Sequence, residues 1–179
     1  MTLVELKAKA YDILAQIEYL GVVCLLLVLK RRLSPYYVIN LLDRALPFTG
    51  IVESTNVISP LNYGDRHLVY LPKYVTKDDP LVNLSEYEIS SLFLEKLRRV
   101  FPDLNDKDIL REKIFREKYV QPVLDLGYLE RQVGFRTPVP CVYLVNSSMI
   151  ANSTLNNNAI INLADKAADI IIKDDVCYE

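Results

Sequence analysis

The stretch LGVVCLLLVL, residues 20–29, constrains this chain more than any other. It carries no charge and then meets Lys30, Arg31 and Arg32. A membrane-spanning helix needs about 20 apolar residues, and this run has half of that. It does not start the chain, which argues against a signal peptide. A short apolar run stopped by charge reads as a buried strand. A strand cannot stand alone, so the chain must build a sheet.

Strand candidates follow in close succession over 36–42, 51–58 and 67–75. Ser34-Pro35, Pro47 with Gly50, and the stretch from Pro60 to Gly64 separate them. Connections this short make antiparallel neighbours, because parallel pairs need long crossovers. Leu3, Leu6, Ala10, Ile13, Leu14 and Ile17 recur at helical spacing ahead of the first strand. A second helix is well punctuated. Ser85 can cap it, Glu88 completes a capping box, and Ile89, Leu92, Phe93, Leu97 and Val100 give its apolar face. Arg98 and Arg99 suit its C-terminal end, and Pro102 follows the stop.

Residues 109–123 end in Tyr-Val-Gln-Pro, which prefers an extended chain. A strand is expected there from about Lys113, behind a short helix. The last unit reads as a strand over 139–144, a polar turn and a helix over 159–172. The inner face of that helix is expected to be Ile160, Ile161, Ala164, Ala167, Ala168 and Ile171. The fold class is therefore α+β: an antiparallel sheet with helices, followed by a strand–turn–helix of the kind found in nucleotide-binding layers. One such unit cannot cover itself on both faces. The expected division places an α+β domain in residues 1–136 and the strand–helix segment in 137–179.

The chain has 179 residues, enough for one domain or a large piece of a bigger protein. Its 21 basic and 23 acidic residues leave no excess that would point to nucleic acid. His67 is the sole histidine, and Cys24, Cys141 and Cys177 lie far apart. Neither a metal site nor a histidine triad is expected from that inventory. Cys24 and Cys141 sit in apolar runs and read as buried thiols rather than a disulfide scaffold. The expected setting is soluble, reducing and cytoplasmic, with no transmembrane segment. Three N-x-S/T patterns, at Asn83, Asn146 and Asn152, read as chance without a secretion signal. The five glycines, at 21, 50, 64, 127 and 134, never form G-x-G-x-x-G, so a dinucleotide fingerprint is missing.

Longer patterns go further. "GIVESTNVISP", "NYGDRHLVYLPKYV" and "DDPLVNLSEYEISSLFLEKLRRVFPDL" come in order. "FREKYVQPVLDLGY" and "TPVPCVYLVNSSMIANSTLNNNAIINLADKAADIII" follow them. This order resembles the C-terminal half of FAD-dependent oxidoreductases of the flavin amine oxidase and protoporphyrinogen oxidase superfamily, in the branch of UDP-galactopyranose-mutase-like proteins. The resemblance runs from about Tyr19 to Ile172. It implies a substrate domain on an antiparallel sheet, then a return to the FAD domain that closes over the flavin. It also implies that the glycine-rich half belongs to a missing domain or an N-terminal FAD-binding partner.

The resemblance places Asn146 and Ser147 in the turn beside the flavin. Asn158, Ala159 and Ile160 open the following helix, where free N–H groups suit an anion or a carbonyl oxygen. Many relatives carry Gly-Asp where Asn-Ser stands here, so an acidic cofactor contact is absent. The plainer role for these asparagines is capping. On the substrate side the candidates are Glu53, Asn56, Tyr70, Arg116 and Tyr119. Glu53 is expected to point opposite to Ser54 and Asn56 on an alternating strand. The family often has histidine where Ser54 stands. Arg116 could hold an anionic group by a bidentate contact, or pair with Glu112 or Glu117. The leading functional expectation is the C-terminal portion of an FAD-dependent oxidoreductase, its substrate unnamed. The alternatives are a non-catalytic binding module and a degenerate remnant without flavin.

Overall fold

The apolar run becomes strand β1, Tyr19–Leu29. The computed structural model describes residues 17–137, 139–151, 153 and 155–174. The N-terminal helix expected from Leu3 lies, but for Ile17, outside the described residues. Four further strands follow: β2 (Val38–Asn40), β3 (Gly50–Glu53), β4 (His67–Val75) and β5 (Ile109–Pro122). Their order across the sheet is β2-β3-β4-β1-β5.

The pairing is antiparallel, as the short connections require. Gly21 lies opposite Val75 and Leu29 opposite His67 across β1 and β4. Val52 faces Tyr70 across β3 and β4, and Ile39 faces Ile51 across β2 and β3. On the other side, Lys30 N–H donates to Asp108 O just ahead of β5, 2.9 Å away. Gly21, at the far end of β1, lies against Glu117 and Lys118. Strand β5 therefore runs against β1 as well.

Period-two alternation explains which face is buried. Val23, Leu25, Leu27 and Leu29 of β1 are at most 1% exposed, as are Ile51, Val69 and Leu71 beside them. Helix α1 (Glu86–Val100) covers this face with Ile89, Phe93 and Leu97. Each such side chain contributes about 1.5–3 kcal/mol on leaving water. Phe48 meets Phe93 with ring centroids 5.4 Å apart. The capping box of α1 is present: Ser85 Oγ accepts from Glu88 N–H, and Glu88 accepts from Ser85 N–H at 2.7 Å. The alternate row of β1, Leu20, Val22, Cys24, Leu26 and Val28, is only half-buried.

The chain divides into two compact units. One is Leu20–Val120; the other starts at Gln121 and takes in Glu18 and Tyr19. Within the second unit Val123 N–H donates to Glu18 O, 2.8 Å away. It holds a short helix, α2 (Tyr128–Arg131), and a long one, α3 (Asn157–Lys173). The division expected at 136/137 falls inside this unit.

Four local expectations are corrected. Strand β5 starts at Ile109, and only a 3-10 turn, Asp106–Asp108, precedes it. Strand β3 stops at Glu53, because Ser54–Asn56 fold into a 3-10 turn in which Val57 and Ile58 N–H groups both reach Ser54 O. The segment over 139–144 is a tight hairpin closed by a single bridge between Arg136 and Tyr143. Its tip turns back within four residues, with Val142 N–H on Val139 O, and leaves no length for a strand. That tip forces Cys141 to a φ of 61°. Cys141 is exposed and disulfide-bonded, not a buried thiol. Among the described residues no helix is long and apolar enough to cross a membrane.

Candidate functional site

In the first unit the substrate-side candidates divide between the two faces of the sheet. Glu53 ends β3 on the core face and is 1% exposed. Its carboxylate accepts from Leu33 N–H at 3.1 and 3.2 Å and from Ser34 N–H at 3.1 Å. Asn56 works on the same loop from the other end, donating from Nδ2 to Ser34 O at 3.0 Å and to Tyr36 O at 2.8 Å. Thr55, also buried, accepts from Leu68 N–H at 3.2 Å. These side chains clasp residues 33–36 to β3 and β4. A carboxylate so occupied has little capacity left for a ligand.

His67 lies beside this clasp, its Nδ1 3.7 Å from Glu53 Oε1, too far for a hydrogen bond. That nitrogen and Ser54 Oγ are buried without a partner. Neither atom was among the candidates read from the sequence.

Arg116 donates from Nη2 to Leu84 O, just ahead of α1. Two positions earlier Ile114 is buried in the core, and Glu112 accepts from Ser90 of α1 at 2.7 Å. Arg116 therefore belongs to the α1 side of β5 and ties down a loop. Tyr70 belongs to the opposite face, in register with Leu26 of the half-buried row. Tyr119 is 78% exposed. Glu53 and Arg116 thus sit on the helix-covered side and Tyr70 on the other. The alternation that fixed Tyr70 is legible in the sequence, whereas the side of β5 depends on its register against β1.

Cys24, between Val22 and Leu26 on Tyr70's face, is a free thiol. Burial pushes its pKa up to about 11, so it is protonated near neutrality and a poor nucleophile.

In the second unit the turn and the helix start are largely self-satisfied. Asn146 Oδ1 accepts from Ser148 N–H at 2.8 Å and from the Ser148 hydroxyl. Met149 N–H reaches Asn146 O, and Ile150 N–H reaches Ser147 O. Ser148 is 2% exposed, and its carbonyl accepts from the Tyr128 hydroxyl at 2.6 Å. Ser147 is exposed. At α3 the cap is Asn156, whose Oδ1 accepts from Ala159 N–H at 3.0 Å; Ile160 N–H goes to Asn156 O. Of the three residues expected to offer free N–H groups there, only Asn158 keeps one.

A half-open cleft of about 260 Å³ lies against α3. Leu129, Met149, Ala159 and Leu163 supply apolar walls, and Gln132, Asn162 and Lys166 supply polar ones. Ala159 alone among these was expected. Asn162 and Lys166 could have been found with it, since spacings of three and four put them on one helix face.

No protein-family model matches the chain, and no curated protein matches it. Several solved structures do. One is an oxidoreductase from Methanosarcina mazei, 18% identical, with a TM-score of 0.67 over 92% of this chain. The chain shares the fold of the 37% of that protein it matches. A candidate protoporphyrinogen oxidase from Exiguobacterium sp. 255-15 is 13% identical, with a TM-score of 0.64 over 89% of this chain. A reduced UDP-galactopyranose mutase is 14% identical, with a TM-score of 0.66 over 91%. The chain spans only 37%, 36% and 37% of these structures respectively.

Proposed function

We propose that this chain is the C-terminal portion of an FAD-dependent oxidoreductase. It contributes the substrate-side sheet and, from near residue 137, the segment that closes over the flavin. The carrying observation is the fold match. Nearly all of this chain corresponds to little more than a third of an oxidoreductase and of a candidate protoporphyrinogen oxidase. The five ordered sequence stretches support the same assignment independently.

The described residues do not make a complete FAD site. The cleft on α3 is smaller than the ~300–1,000 Å³ of ordinary small-molecule sites. Three of the turn's N–H groups are already taken, and no glycine-rich loop is present. What remains is an edge contact through the exposed Ser147 and the first turn of α3 at Asn158. Asn146 is a positioning residue that shapes the turn through Ser148. FAD, when bound, supplies the redox chemistry. On the substrate side the contact falls to Tyr70 and Tyr119, while Glu53, Asn56 and Arg116 hold the frame.

The purified chain alone is expected to be colourless. Co-expression with a glycine-rich nucleotide-binding polypeptide from a neighbouring reading frame should yield a complex with visible flavin absorbance. Tight stoichiometric flavin on the chain alone would overturn this reading.

A further inference from the structure

The two described cysteines are in different chemical states. Cys24 is a free thiol, whereas Cys141 is disulfide-bonded. The sequence holds three cysteines, and the third, Cys177, lies outside the described residues. Within one chain, elimination makes Cys177 the partner of Cys141. The surroundings of Cys141 support that pairing. Its hairpin is already tied to the end of α3 through Asp174. Arg136 donates from Nε and Nη2 to the two Asp174 carboxylate oxygens, each at 2.7 Å, and the Tyr143 hydroxyl donates to Oδ2 at 2.8 Å. Arg136 and Tyr143 are the bridge pair of that hairpin. Cys177 follows Asp174 by three positions, and Cys141 precedes Tyr143 by two. Both sulfurs therefore belong to short segments that leave the same noncovalent knot.

Three features distinguish this bond from a buried staple. Cys141 is exposed at a hairpin tip, where an attacking thiolate has access. The tip holds Cys141 at a φ of 61°, in the left-handed region that a cysteine seldom adopts unconstrained. The noncovalent knot is weak by itself, because the Arg136 side chain is 60% exposed and ion pairs open to water contribute little. The bond closes a ring of about 35 residues, long enough for a large constraint on the open chain. That ring contains the Asn146–Met149 turn and the whole of α3.

We propose that Cys141 and Cys177 form a thiol-reducible clasp that fixes the end of α3 to the 136–143 hairpin. The reductant is a small-molecule thiol. Its thiolate attacks the Cys141 sulfur, the S–S bond breaks, and Cys177 leaves as a thiolate that takes up a proton. A second thiol attacks the reagent's sulfur in the mixed disulfide, and Cys141 leaves in the same way. Two thiols are oxidised to one disulfide, and the protein disulfide gains their two electrons and two protons. The Arg136–Asp174 pair is then the main tie left between hairpin and helix. The clasp stands whether or not the flavin reading does, since both of its ends lie in the second unit.

Peptide mapping of the unreduced full chain should find Cys141 linked to Cys177 and Cys24 as a thiol. Millimolar reduced glutathione, added to the folded chain, should open the bond within about an hour. Protection of the last α3 amides should then fall by roughly 30- to 700-fold, and glutathione disulfide should restore it. Cys177→Ser leaves the hairpin sequence intact; it should match the reduced chain and no longer respond to thiols. If that variant misfolds, the reduced wild-type chain supplies the same comparison. Mapping that finds Cys141 free, joined to Cys24 or joined to a second chain would overturn the pairing. A bond that opens only after urea is added would overturn the switch and leave a static staple. Amide protection indifferent to reduction would overturn the clasp itself.

Discussion

Replacing Glu53 separates a ligand contact from a structural clasp. Glu53→Ala strands the Leu33 and Ser34 N–H groups, which now reach the carboxylate at 3.1–3.2 Å. Each stranded, half-buried donor costs up to about 1–3 kcal/mol, and the missing side chain leaves a hole beside Val69 and His67. Together these amount to roughly 3–5 kcal/mol. For a chain of this length that lowers Tm by roughly 6–20 °C. Glu53→Gln keeps the shape and one accepting oxygen but turns an amide N–H₂ toward a donor, so its loss should be about half as large. Thermal unfolding by circular dichroism gives the first number. Amide exchange gives the mechanism: Leu33 and Ser34 should lose protection while the α1 amides keep theirs. A residue kept for a ligand is commonly neutral or destabilising in the free protein. If Glu53→Ala unfolds within about 0.5 kcal/mol of wild type, the clasp is wrong and a ligand role for this carboxylate returns.

Three further outcomes are expected. In Gly21→Ala the new methyl would stand 2.6 Å from Glu117 O, so β5 must shift away from β1; the unfolding free energy from urea titration should fall by about 1–3 kcal/mol, and a neutral result would show that β5 yields freely. The Asp174 carboxyl is held below its usual range by hydrogen bonds from the Arg136 guanidinium, first, and then from the Tyr143 hydroxyl. A depressed carboxylate stabilises fully above its unfolded pKa and loses that contribution as pH falls from there through the folded one. Protection of the last α3 amides, corrected for intrinsic exchange, should thus hold from neutrality down to the ordinary carboxylate range and fall progressively below it. Asp174→Asn should abolish that loss, and a loss beginning well above the ordinary range would contradict the assignment. Cys24, with a pKa of about 11, should be alkylated at pH 8 about a thousandfold slower than its thiolate; rapid labelling of the folded chain would show that the half-buried row opens.

Elements announced by local chemistry were legible in the sequence. The run at β1 and the Ser85–Glu88 box each depend on residues a few positions apart. What was not legible depends on distant partners. Strand β3 gives way to a 3-10 turn after Glu53, and the Glu53 side chain holds a loop about twenty positions away. Helix α3 is apolar over so wide an arc that its sequence does not say which part is covered, and the expected inner face was displaced toward the exposed one. Cys141 looked like a buried thiol because its neighbours are apolar, but a hairpin tip lifts it to the surface. The candidate site suffered the same way. Tyr70 could be assigned to a face from β4 alone, while Arg116 could not be assigned without the register of β5.

The polar groups that looked like ligand contacts mostly serve internal closure. Glu53 and Asn56 hold residues 33–36, Arg116 holds the approach to α1, and Asn146 and Asn156 close the turns before and at α3. The apolar surface, in contrast, is incompletely used. The alternate row of β1 is half-buried, and one side of α3 is bare. On the proposed reading as a portion of a larger flavoenzyme fold, these open apolar faces are the ones the rest of that fold would cover, and the flavin content of a reconstituted pair tests that reading.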